Sequence, residues 1–196
     1  MSACKKTEQP QEKLQHGLAY IAIIHEQICA RPAYQTDIYQ YLALIDFANI
    51  KAKGRLVFDL DYLALKSGPV PAMLYDNRDA YLESQPFRDV LVLEKIDDTI
   101  IFKPIAEPDL QYFSDDEIAL MESIVEKYAS TVTTTEQLCR ISHTEIEAWK
   151  VAWKARNDKN RVRINPLDTF PNILQKSSDE LTPIEEAALW TFLTSF

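Results

Sequence analysis

Apolar residues fall at Leu14, Leu18, Ile21, Ile24 and Ile28, the three-and-four spacing of an amphipathic helix over about Lys13 to Ala30. Arg31-Pro32 ends it, because proline cannot continue the hydrogen-bond ladder. After a Thr36-Asp37 cap signal, Ile38, Tyr41, Leu42, Ile45 and Ala48 repeat the spacing until Gly54 offers a left-handed stop. The segment LVFDLDYLALKSGPVPAMLYD breaks the rhythm, since Gly68, Pro69 and Pro71 do not fit inside a regular helix. A short helix is expected before it and another from about Pro71 to Leu82, with Pro71 pre-set in the first turn.

Between Arg88 and Pro104, two β-branched runs flank Asp97-Asp98 and predict a hairpin or wing. Ser114 and Glu117 form a capping box ahead of Ile118, Met121, Val125 and Tyr128, with Asp115 and Asp116 at the positive end of the helix dipole. Thr134 to Ile141 reads as a short helix, and Ile146 to Ala155 as another, carrying Trp149 and Trp153. The prolines, polar residues and lack of period from residue 157 to 181 predict a linker. Thr182, Pro183 and Glu185 then open a last helix whose stripe is Leu189, Phe192, Leu193 and Phe196. The expected fold is mainly α: a disordered stretch over 1–12, a compact multi-helix domain with a small hairpin over 13–156, the linker, and a C-terminal helix over 182–196.

Composition removes several classes of function. The net charge of −9 opposes a nucleic-acid-coating protein, whose phosphate contacts need concentrated positive charge. With Gly17, Gly54 and Gly68 the only glycines, neither a P-loop nor a dinucleotide fingerprint can be written, and no cofactor is expected. Cys4, Cys29 and Cys139 suit neither a disulfide framework nor a metal knuckle. No apolar run approaches the ~18 residues of a membrane span, and the polar opening lacks the apolar stretch of a secretory signal, so a cytoplasmic protein is expected.

The run YLALIDFANIKAKGRLVFDLDYLALKSGPVPAMLYD holds Gly54-Arg55 at a helix end, then Asp61-Tyr62-x-Ala-x-x-x-Gly68-Pro69-Val70-Pro71, then Leu-Tyr75-Asp76. Further on, a capped helix leads through Ser142-His143 to Trp149. Together these resemble the Panacea-domain (SocA-like) antitoxin family over about Tyr34 to Lys154. The resemblance implies an antitoxin of a two-component toxin–antitoxin system, often carried by mobile elements or prophages. Such a domain binds and neutralises a cognate toxin. A related member delivers its toxin to a protease, so a proteolysis adaptor is the alternative, and the sequence does not choose between an inhibited and a degraded toxin.

The residues themselves support binding more than catalysis. Gly68-Pro69-Val70-Pro71 is either a rigid break between helices or that break together with a contact surface shared with Tyr75 and Asp76. His143 has carboxylates nearby but no HExxH spacing and no paired ligand, and is expected as a buried histidine that bonds a helix end and packs near Trp149. His16 and His25 are expected at a helix surface or boundary. Asp59, Asp61, Asp76 and Asp79 lack the spacing of a calcium loop, and no metal is expected. Lys150, Lys154, Arg156, Lys159, Arg161 and Arg163 form the one basic stretch, read as a solvated connector, with contact to nucleic acid or to an acidic toxin surface as the less favoured alternative. The C-terminal stripe is core if its helix folds back and an interaction face if it stands clear. Tyr75, Asp76, Trp190, Phe192 and Phe196 are the candidate partner-binding residues.

Overall fold

The computed structural model describes residues 5–131 and 134–193. Helix α1 (Lys5–Cys29) leads through strand β1 (Ala33–Tyr34) into α2 (Gln35–Lys53). The hairpin β2 (Tyr62–Leu65) and β3 (Gly68–Pro71) follows, then α3 (Ala72–Asp76), α4 (Arg78–Ser84) and a second hairpin, β4 (Leu91–Ile96) and β5 (Thr99–Pro104). Three helices come next, α5 (Asp115–Thr131), α6 (Thr135–Glu145) and α7 (Glu147–Lys154), and then β6 (Val162–Arg163), three single-turn 3-10 segments and α8 (Pro183–Leu193). The fold is mainly α with two small antiparallel sheets, ordered β1-β5-β4 and β3-β2-β6. Among the described residues no helix is long and apolar enough to cross a membrane.

Helix α2 is the axis of the molecule. It packs against α1, α5, α6, α8 and both sheets, and its residues from Asp37 to Asn49 are buried except Ala48. Such a helix has no solvent face on which to place polar groups, so each must find a partner inside. Asn49 Nδ2 donates to Arg55 O at 2.9 Å, and Gln40 Nε2 to Pro69 O at 3.3 Å. Asp37 Oδ2 accepts from Arg31 Nη1 at 2.7 Å and from Tyr34 N at 3.1 Å, while its Oδ1 accepts from Thr135 Oγ1 at 3.0 Å. The cap of α2 is therefore Tyr34 with Asp37 in the third position, two residues ahead of the expected Thr36.

Elsewhere the cap signals hold. Ser114 and Glu117 exchange backbone-to-side-chain bonds at 3.1 and 3.3 Å, and Thr182 and Glu185 do so at 2.9 and 3.3 Å. The predicted wing is the β4–β5 hairpin, whose turn residue Asp97 adopts φ 52° in place of a glycine. The polar opening segment is helical from Lys5, not disordered throughout: its lysine, glutamate and glutamine residues extend a helix nucleated by the packed turns behind them.

Two further expectations fail. The short helix before Gly68 is strand β2, and Gly68-Pro69-Val70-Pro71 is itself strand β3, in the register Tyr62↔Pro71, Leu63↔Val70, Ala64↔Pro69 and Leu65↔Gly68. The outward-facing carbonyl of Tyr62 accepts from Ile164 N at 2.9 Å. Pro69 and Pro71 thus stand opposite residues whose backbone points to β6, where an edge strand loses no ladder bond by lacking N–H groups. The segment 157–181 is not a free linker either: β6 pairs with Leu63 and Ala64, and Ile164, Leu167 and Ile173 are buried. Its irregularity reflects three short 3-10 turns, which have no long apolar period to detect.

Candidate functional site

The turn between β2 and β3, the inner face of α6 and the end of α7 enclose a cleft of about 1110 Å³. On α7, Trp149 and Trp153 are four residues apart and so project from one face, and Arg156 follows just past the end of the helix. Their planes stack. The His143 ring lies parallel to Trp149 with centroids 3.9 Å apart and 2° between planes, and Trp149 lies against Trp153 at 5.8 Å and 12°. The Arg156 guanidinium caps the column 4.3 Å from the Trp153 ring and donates through Nη1 to Trp153 O at 2.8 Å.

The column is fixed to the hairpin. Trp149 Nε1 donates to Leu65 O at 3.2 Å. A Cβ on Gly68, whose φ is 113°, would stand 2.8 Å from Gln40 Oε1 and 2.9 Å from Ser142 Oγ, so only glycine lets the strand approach α2 and α6 this closely. The start of β3 at Gly68 thus meets Ser142, the neighbour of His143, and Trp149 is tied to Leu65 just before the turn, while Pro69, Val70 and Pro71 are buried along β3.

His143 packs on Trp149 as expected but is half-buried, and its Nε2 is buried without a hydrogen-bond partner among the described residues. Burial lowers its pKa, so the ring is neutral near pH 7. Cys139 also lines the cleft, and burial pushes its thiol up to about 11, which keeps it from being a thiolate nucleophile. The expected basic stretch is divided. Lys150 pairs with Glu147 at 2.8 Å, Arg161 with Asp76 at 2.5 Å and Arg163 with Asp61 at 3.4 Å, whereas Arg156 and Lys159 face the cleft with Lys66 and Arg140.

The remaining motif residues lie apart from the cleft. Gly54 ends α2 at φ 71° with its N–H on Ile50 O, and Arg55 Nη2 stands 3.8 Å from Glu117 Oε1. Tyr62 donates its hydroxyl to Asp46 Oδ2 at 2.8 Å, while Asp46 Oδ1 accepts from the backbone N–H groups of Val57 and Phe58 at 2.7 and 2.9 Å. Burial pushes the Asp46 carboxyl up to about 7 against the opposing pull of these bonds. Of the partner candidates, Tyr75 is at the margin of exposure, Trp190 is 74% exposed and Phe192 is half-buried against the core. Phe196 lies outside the described residues. The C-terminal helix folds back with Ala188 buried.

His25 corrects the sequence reading: it is 1% exposed, with Nδ1 3.0 Å from the Tyr41 hydroxyl and Nε2 3.8 Å from Asp37 Oδ2. It continues the stripe of Leu14, Leu18 and Ile21 at the next four-residue step, and that position could have marked it. His16 sits at a boundary, stacked on Tyr112.

The family model described as antitoxin SocA-like, Panacea domain, matches residues 41–150. The chain belongs to the SocA-like Panacea antitoxin family. No curated protein and no solved structure matches it. The Panacea match holds the hairpin, His143 and Trp149, while Trp153, Arg156, Lys159, β6 and α8 follow it. The family implies a toxin as partner in general.

Proposed function

We propose that this chain neutralises one cognate toxin, encoded by the adjacent gene, by direct stoichiometric binding. The observation that carries the reading is an open cleft in which His143, stacked on the buried Trp149, stands with Trp153, Arg156, Lys159 and Lys66, the buried Gly68–Pro71 strand following directly on the turn that forms one wall. The buried signature residues supply shape and stiffness, and Trp153, Arg156, Lys159 and Lys66 line the opening, which suits a protein interface built around aromatic and arginine anchors. His143 has neither a carboxylate to orient it nor an activated nucleophile beside it, since the Cys139 thiol is held protonated. Co-expression with the neighbouring gene tests the proposal. Growth arrest by that gene alone, rescue by this chain, and recovery of intact toxin in a one-to-one complex are expected. A harmless neighbour, or rescue with loss of the toxin and no complex, defeats it. His143→Gln, which keeps a planar polar group on Trp149, should preserve rescue.

A further inference from the structure

Four cations surround the cleft: Lys66 from the β2–β3 turn, Arg140 from α6, Arg156 from the end of α7, and Lys159 from the loop after it. Glu136 and Asp158 are the two carboxylates of the lining, and Glu136 is 3.5 Å from Arg140. Among the described residues, Lys66, Arg156 and Lys159 have no carboxylate within ion-pair distance. In a chain where 30 acidic residues outnumber 21 basic ones, four cations around one cleft with two carboxylates make a local positive field. The loop that carries Lys159 is shaped for this. Asn157 and Asp158 adopt φ 48° and 62°, a left-handed pair that turns the chain sharply, and Lys159 N bonds Arg156 O at 3.0 Å. Arg156 is held flat on Trp153 with Nη1 engaged, so the rest of its donor fork is preset. Below the cations the lining is apolar and aromatic at Leu65, Cys139 and Trp153.

We propose that this cleft receives an acidic, extended segment of the toxin, with carboxylates on Arg156, Lys159 and Lys66 and an apolar side chain against Trp153. The inference rests on the binding reading above. An acidic peptide is favoured over nucleic acid because the whole-molecule charge of −9 repels a polyanion, while a short acidic segment meets only the local positive field. The test uses the full chain and the toxin of the adjacent gene. Arg156→Glu with Lys159→Glu should weaken toxin affinity roughly 10- to 100-fold and abolish rescue, and raising salt should weaken the wild-type complex. Lys66→Glu, on an exposed turn where folding is not at stake, should weaken it in the same direction. Lysine substitutions in the acidic segment of the toxin should restore binding to the double variant. Unchanged affinity in both variants overturns the cleft while leaving neutralisation intact. Failure of the wild-type chain to bind or rescue overturns the underlying reading instead.

Discussion

Asp46 is the buried carboxyl whose titration should be visible in the stability of the whole chain. Its pKa is raised from an ordinary 3.8 to about 7, so the folded state binds a proton that the unfolded state has released across that interval. Stability is therefore greatest below the lower value, falls as pH rises through the window, and is level above about 7. At about 1.4 kcal/mol per unit the effect approaches roughly 4 kcal/mol. Asp46→Asn can keep its carbonyl on the N–H groups of Val57 and Phe58 and offer its amide to Tyr62. In urea unfolding from pH 4 to 7 the stability of the wild type relative to this variant should fall as pH rises, and a constant difference would refute the assignment. His25 acts in the opposite sense: burial lowers its pKa, so acidification below its ordinary 6.5 costs stability. A second prediction concerns Asp37, which holds Arg31, the Tyr34 amide and Thr135. Asp37→Ala strands these donors at the junction of α1, α2 and α6 and should cost about 3 kcal/mol in chemical denaturation. A loss under about 1 kcal/mol would show the cluster to be solvated.

At the scale of elements, α8 is joined to α2 through Gly54. A Cβ there would lie 2.6 Å from Ile184 O and 2.7 Å from Ala188 N, on a residue with φ 71°. Gly54→Ala therefore combines left-handed backbone strain of about 1–2 kcal/mol with a backbone clash that only a shift of α8 relieves. Limited proteolysis should cut the variant within residues 182–193 while the wild type resists, and equal resistance would show that α8 docks without this contact. The apolar stripe of α1, the cap and stripe of α5 and the cap of α8 were legible because each is a local pattern with a fixed spacing. The hairpin at Gly68 was not: a helix breaker and an edge strand carry the same glycine and proline signature, and β6, the strand that decides between them, lies about ninety residues downstream. For the site, His143, Trp149 and the Gly-Pro-Val-Pro run were readable from sequence. Their union with Lys66 and Arg140 was not, because nothing local pairs a turn in the second quarter of the chain with the face of α6.

The family match ends at residue 150, yet the structure past that point does not behave as an appendage. Strand β6 supplies the third strand beside β2, and Ile164 joins the main core. Leu167, Ile173 and Ala188 form a second buried cluster, which Phe170 and Phe192 connect to the first. Each fully buried large aliphatic contributes about 1.5–3 kcal/mol, comparable in sum with the 5–15 kcal/mol by which a domain is stable at all. The loop carrying Lys159 also hangs between α7 and β6, so the cleft loses one wall if β6 is gone. A chain ending at Arg156 should therefore be deficient in both respects. Calorimetry of the full chain should show one cooperative transition, whereas the truncated chain should melt at least 10 °C lower, or without a cooperative transition, and fail to bind the toxin. A truncated chain with full-length melting behaviour would restore residues 157–181 to the status of a connector. If it also bound the toxin at wild-type affinity, Lys159 and the wall it stands on would have no part in recognition.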